Sequence, residues 1–384
     1  MTTSKGLGLY IHIPFCARKC RYCDFTSYPI DDQDTHLAYI LKVIFEIRAK
    51  RTLLFEGAAT PAVETVYIGG GTPSLLEAGL ISEILDAVYS TYRVEEDAEI
   101  TIEVNPGTAG YDKFKAYRAA GINRLSIGAQ SFGEEELAFL GRIHHGADTV
   151  RSVREARAAG FNDVNLDLIF GVPGQGFPGW EKDLAAAMAL EPTHISFYGL
   201  QIEEGTPLFE SFSAGEFEAA DEALDRRMYR YAKDYLAKHG LYQYEISNSA
   251  RPGFESRHNL KYWSMEPYIG FGAGAHSHFG GRRFSNKPEL ALYLAAEDAG
   301  DMTDWSHDNT LSDNISEYIF LGLRRTAGIE LSGFSEEFGR DFWELYGDET
   351  ERLIGRGLLE KSGDRLRLTP LGLDLANSVF SEYV

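Results

Sequence analysis

From Leu7 to about residue 250, short apolar runs alternate with stretches whose apolar residues recur at helical spacing. The runs Leu7–Ile13, Glu64–Ile68, Ile100–Val104, Arg124–Ile127, Asp163–Phe170 and His194–Tyr198 predict strands. Helices are predicted between them. Thr35–Ala49 puts Leu37, Ile40, Leu41, Ile44 and Ile47 on one face, and Ser74–Tyr92 has Ser74 as its cap. Further helices fall near Ala109–Ala120 and over 179–189, and a long one near Asp221–Lys238 precedes Tyr242–Ile246. Strands regularly followed by helices make right-handed βαβ units and a parallel sheet. Six such units before residue 210 predict an α/β fold built on a partial parallel (β/α)6-type barrel. Chemistry in such barrels sits at the C-terminal ends of the strands. Here the Gly-rich and unusual polar clusters all follow strands, which points to one site at one mouth.

After about residue 300 the pattern changes. Asn309–Arg325 predicts a helix with Ser312 as its cap, followed by helical pieces at Ser332–Phe338 and Phe342–Arg356. Alternating apolar residues around Ser362-Gly363-Asp364 predict a hairpin, and a last helix runs from about Pro370 to the end. The expectation is two domains, 1–300 and 301–384, the second small, helical and winged-helix-like. A wing invites a DNA-binding reading, but the charge opposes it: Lys and Arg against Asp and Glu give 37 − 58 = −21. Nucleic-acid binding needs clustered cations against phosphate, so the module is read as a packing unit with no nucleic-acid partner. With 44% hydrophobic and 25% charged residues, the 384-residue chain is an ordinary globular one. No apolar run reaches the roughly 18–20 residues that span a bilayer. Positions 1–15 lack the order of a secretory signal, so the cytoplasm is the expected compartment and no stable membrane insertion is expected.

The three cysteines, Cys16, Cys20 and Cys23, all lie within eight residues. An odd, clustered set is no disulfide framework, and it has no second pair to complete a zinc site. Three thiolates on one tight loop after a strand can hold three irons of a 4Fe–4S cluster and leave the fourth open. His12 is read as packing or hydrogen-bonding within its strand rather than closing the set. The pattern Cys-x3-Cys-x-aromatic-Cys, with Tyr22 as the aromatic, resembles the signature of the radical S-adenosylmethionine superfamily. The resemblance implies that the methionyl amine and carboxylate chelate the open iron, and that reductive cleavage yields a 5′-deoxyadenosyl radical.

The remaining clusters suit the same ligand. Gly69-Gly70-Gly71-Thr72 admits close backbone approach. Glu103 and Asp167 are acidic residues inside apolar strands, where a charge needs partners; ribose hydroxyls or the adenosyl amine would serve. Arg142 offers a planar fork of donors to a carboxylate. Their order and spacing, with Gln130, are similar to the oxygen-independent coproporphyrinogen III oxidase-like branch of the superfamily. That resemblance implies that Tyr10, Tyr22, Gly70, Gly71, Thr72, Glu103, Gln130, Arg142 and Asp167 bind S-adenosylmethionine, with Gln201 adding a weaker contact.

Two departures count against porphyrinogen decarboxylation. The oxidases carry a fourth cysteine two residues beyond the third, where Phe25 stands here. They also carry an N-terminal extension, whereas fifteen residues precede Cys16. The segment His258-Asn259-Leu260-Lys261-Tyr262-Trp263, with Tyr244–Asn248 upstream, is similar instead to the heme-chaperone family of that branch. This resemblance implies heme binding near 244–278, with His258 on the iron and Tyr262 and Trp263 covering the macrocycle. Heme-accepting apoproteins, respiratory ones among them, would be the partners. His276 and His278, spaced as alternate strand residues, border the same mouth but are not assigned as ligands. The alternatives are coproporphyrinogen III oxidase and another radical enzyme.

Overall fold

The computed structural model describes residues 6–30 and 32–384. Positions 1–5 of the stretch read for a secretory signal lie outside the described residues. Six parallel strands come first: β1 Leu7–Ile13, β2 Val63–Gly70, β3 Val94–Val104, β4 Arg124–Gln130, β5 Asp163–Phe170 and β6 His194–Gly199. They lie side by side in sequence order, each paired in parallel to the next. The barrel is partial, as the sequence predicts, because other strands extend both ends of this row. β7 Tyr242–Glu245 and β8 Asn248–Ala250 continue it antiparallel beyond β6. β9 Tyr268–Phe271 pairs parallel to the free side of β1, and β10 His276–Phe279, β11 Arg282–Asn286 and β12 Thr303–Asp308 follow antiparallel.

Alternation along β1 shows how the sheet is sided. Leu7, Leu9, Ile11 and Ile13 are buried in the main core, while Tyr10 and His12 occupy the opposite face. The helix Gln33–Phe55 covers the core face, and Asp32 caps it by accepting from the Thr35 amide at 2.9 Å. Its buried face is rotated from the predicted one. Tyr39, Ile40, Val43, Ile44 and Ile47 are buried, but Leu37 and Leu41 are exposed. The rotation brings Glu46 and Lys50 inside, where they pair with each other at 2.8 Å.

Ser74 is not a helix cap. It lies in a 3-10 turn, Pro73–Leu75, and its hydroxyl bonds Thr108 Oγ1 across the mouth; the helix proper is Ala78–Thr91. Two helices that the periodicity does not predict, Glu134–Leu140 and Gly146–Ala158, follow β4.

A second core lies beyond β12. Helices Leu311–Leu323, Leu331–Phe338 and Phe342–Gly355 pack around Ile319, Phe334, Phe342, Leu353 and Leu366. The predicted hairpin is present as β14 Leu359–Ser362 and β15 Arg365–Leu368, after the short strand β13 Ile329–Glu330, which pairs with the other edge of β15. Thr310, not Ser312, caps the first helix, because Thr310 and Asp313 exchange side-chain-to-backbone bonds in a capping box. The last predicted helix is broken at Leu375 (φ −118°, ψ 28°) into Pro370–Asp374 and Ala376–Phe380. No helix among the described residues is long and apolar enough to cross a membrane.

Candidate functional site

β1 ends at Ile13 and the chain turns into the cysteine loop. The loop is tied at its base by Cys16 N donating to Tyr28 O (3.0 Å) and Tyr28 N to Pro14 O (2.7 Å). Its middle hangs on Arg21, whose amide donates to Leu140 O (3.1 Å) and whose guanidinium reaches Ser211 Oγ (2.9 Å) and stacks over Phe139. The glycines at the end of β2 and just past it are required by this loop itself. A Cβ on Gly71 would stand 2.7 Å from Phe15 O and 3.0 Å from Cys16 Sγ. Gly70 has φ 118°, and a Cβ there would meet the His12 ring at 2.6 Å.

Cys16, Cys20 and Cys23 are free thiols on one cavity of about 490 Å³. Burial pushes the Cys16 and Cys23 thiols up. Thr72 Oγ1 donates to Cys16 Sγ and Arg142 Nη1 to Cys20 Sγ, each at 3.5 Å. Among the described residues, no three His, Cys, Asp or Glu side chains converge as ligands of one ion. Three free thiols on one loop are the donor set of a cubane, in which each thiolate takes a different iron.

The same cavity gathers Tyr22, Gly70, Gly71, Thr72, Glu103, Gln130, Arg142, Asp167 and Gln201 from the ends of successive strands and the cysteine loop. Glu103 accepts from Tyr67 Oη and from Gly70 N, both at 2.9 Å, and burial pushes its carboxyl up to about 7. Asp167 accepts from Asn165 Nδ2 (2.8 Å) and Ser126 Oγ (3.1 Å), and burial raises it too. The donors that the sequence reading sought in a ligand are therefore already supplied by the protein. Each carboxylate still has lone pairs to spare. Arg142 is bonded to Asn105 Oδ1 (2.6 Å) and Gly128 O (2.9 Å), and pairs with no carboxylate among the described residues. Gln130 sits where β4 slips register against β5, with φ 62°. A non-glycine residue in that conformation carries strain of order 1–3 kcal/mol, a feature that collects at functional sites. Tyr22 packs against Leu140, Ile169 and Val172. Gln201 lies on an exposed loop and donates to Gly199 O at 3.3 Å. The sequence assigns no site role to Asn105, Ser126 or Asn165. Only the Asn105-Pro106-Gly107 strand stop marks any of them.

Tyr10 is the residue the structure does not bring to this cavity. It lines a second one, of about 500 Å³, with His12, Tyr262, Trp263, Tyr268 and His276. The two cavities share Asp24 and Phe25, and Phe25 is 63% exposed. Leu321 of the helix Leu311–Leu323 closes one side, and Arg324 lies over the Trp263 ring at 4.3 Å. Trp263 Nε1 is buried without a hydrogen-bond partner among the described residues.

His258 lines neither cavity. It sits in the helix Arg257–Trp263, whose first amides, of Arg257 and His258, donate to the Glu99 carboxylate at 2.9 and 3.0 Å. Its imidazole is 1% exposed; Nδ1 bonds Thr65 Oγ1 and Nε2 bonds Tyr262 Oη, both at 2.8 Å. Burial, with Lys261 and Arg124 nearby, holds it down at about 3. As an iron ligand it would need one of those nitrogens freed.

An open row of parallel strands, with a three-cysteine loop after the first and a glycine turn after the second, defines the radical SAM class. Residues 10–185 match the Radical SAM superfamily, and residues 309–375 match the HemN C-terminal domain. The solved structure of Escherichia coli coproporphyrinogen III oxidase (HemN) superposes with a TM-score of 0.86, covering 99% of this chain and 90% of that one. At 22% identity that likeness shows the fold. The heme chaperone HemW of Bacillus subtilis is 37% identical, over 98% of both chains, and that of Escherichia coli is 42% identical over 70% of this chain and 69% of its own. Mouse mitochondrial radical S-adenosyl methionine domain-containing protein 1 is 33% identical, over 98% of this chain and 87% of its own. The chain belongs to the HemW family of the radical SAM superfamily. Membership implies a 4Fe–4S cluster and S-adenosylmethionine, and the thiol spacing and chemistry above fit both.

Proposed function

We propose that the chain binds heme and passes it to acceptor apoproteins, respiratory ones among them. The observation that carries this reading is kinship with relatives named heme chaperone HemW along nearly the whole of both chains. An aromatic, imidazole-bearing cavity adjoining the thiol cavity supports it.

In this reading Cys16, Cys20 and Cys23 hold the cluster. Gly70, Gly71, Thr72, Glu103, Gln130, Arg142, Asp167 and Gln201 hold S-adenosylmethionine, with Tyr22 as a wall. When bound, the pair supplies one-electron cleavage of a sulfonium. Arg142 sets a fixed positive charge beside the thiols, and the glycine turn keeps the backbone close to the loop. Glu103, with a carboxyl near neutrality, can hold or release a proton at the cavity wall. Tyr10 belongs to the neighbouring cavity, where it serves the heme side.

The test is an anaerobic titration of cluster-reconstituted protein with heme, read by absorption. Stoichiometric, saturable binding is expected. Its absence while the cluster spectrum is intact would overturn the reading. Incubation with coproporphyrinogen III, reductant and S-adenosylmethionine is expected to give no protoporphyrinogen.

A further inference from the structure

The imidazole that the sequence motif offers to heme is the least available one in the neighbourhood. Both His258 nitrogens are bonded and its ring lines neither of the two cavities. Freeing one would strand Thr65 or Tyr262 beside a buried ring. His12 lines the second cavity, but its nitrogens are also occupied, by Tyr10 Oη at 2.9 Å and Thr26 O at 2.8 Å. His278, on the same face of β10, also lines the cavity but is buried against Tyr268. His276 differs from all three. It is the exposed one of those lining the cavity, and its ring makes no hydrogen bond to the described residues.

The backbone that delivers His276 is rigidly held. Gly272 (φ 99°) and Gly274 (φ 70°) turn the chain from β9 to β10, and Cβ atoms on them would meet His12 O at 2.5 Å and Thr26 Oγ1 at 2.9 Å. Gly272 N donates to buried Glu46 at 2.8 Å, and Ala273 N donates to Tyr39 Oη at 2.9 Å. Lys50 and Asn286 complete this buried set. A ligand side chain on a platform fixed by buried bonds is preorganised for its metal. Tyr262 and Trp263 line the same cavity, and Tyr262 Oη is held by its bond to His258 Nε2 at 2.8 Å.

We propose that His276 ligates the heme iron in the second cavity, and that His258 is a positioning residue that holds Tyr262 against the macrocycle. The inference rests on the heme-binding reading above and assigns its site. Imidazole is a usual iron ligand, and a flat macrocycle suits aromatic walls.

The test compares heme-loaded, cluster-reconstituted wild type, His276→Ala, His276→Met and His258→Gln by electron paramagnetic resonance and anaerobic titration, with circular dichroism as a check on folding. His276→Ala should lose the imidazole-ligated signal, bind heme roughly tenfold or more weakly, and recover the signal on adding free imidazole. His276→Met should keep binding and raise the heme reduction potential. His258→Gln should keep the imidazole-ligated signal. An unchanged signal in both His276 variants, or its loss in His258→Gln alone, overturns this assignment while leaving heme binding intact. If wild type itself takes up no heme, it is the functional reading that fails.

Discussion

The burial of His258 has a consequence in pH. Its ordinary value is 6.5 and its folded value about 3, so the folded chain keeps the ring neutral while the unfolded chain protonates it below 6.5. Folding stability from this residue is therefore complete above pH 6.5 and is lost as pH falls towards 3. One unit below the unfolded value the loss is about 1.4 kcal/mol. His258→Gln removes the titration and keeps an amide for Thr65 or Tyr262. Urea unfolding at pH 7.5 and 5.5 should show wild type losing about 1.4 kcal/mol more than the variant; equal losses would refute the neutral buried ring. At this scale the sequence was partly legible. Cysteine spacing and the acidic residues inside strands mark their positions through local chemistry that no folding can hide. Whether His258 or His276 faces a cavity depends on which neighbours the fold brings to each ring. Thr65 lies far from His258 in sequence, and no local pattern announces their bond.

Among elements, the helix Gln33–Phe55 is tied to β9 and β11 by charge as well as by apolar packing. Lys50 donates to Gly270 O and Asn286 Oδ1, both at 2.9 Å, and pairs with Glu46. Removing one partner of such a fully buried pair leaves the other uncompensated, typically at about 3–5 kcal/mol. Lys50→Met should lower the unfolding free energy by that amount, read as a lower urea midpoint with little change in slope. Adding Glu46→Gln should cost less than the sum of the two single changes. Additive losses would show that the pair is not coupled. In the sequence this pair looks like an exposed i, i+4 bridge, and that is why the predicted apolar face was rotated from the real one. The strands Leu7–Ile13 and Asp163–Phe170 were predicted to the residue, because Gly, Pro or charged positions bound their apolar runs on both sides. The helices Glu134–Leu140 and Gly146–Ala158 were missed. The first is seven residues opening on three glutamates, and only Leu137 and Leu140 of it are buried.

For the whole molecule, the charge of −21 bears on ligand capture. A heme brings two propionates, and Arg283 at the second cavity is already engaged by both oxygens of Glu317, at 2.5 and 2.7 Å. Repulsion should slow encounter at low salt and fade as the Debye length shrinks from about 30 Å at 0.01 M to about 8 Å at 0.15 M. Stopped-flow mixing over that range should show association accelerating several-fold; a rate that falls with salt would reveal a local cationic funnel. The parallel row was legible because each βαβ unit is local, whereas the placement of β9 against β1 was not. That placement also bears on synthesis. Gly8 pairs with Tyr268, so β1, which leads into the cysteine loop, gains its second neighbour only when β9 has emerged. At roughly 5–20 residues per second that delay is on the order of 13–50 s. For that time the newborn chain carries an uncovered strand edge at the root of its thiol loop, a window in which iron and sulfur can enter and a stray strand can pair.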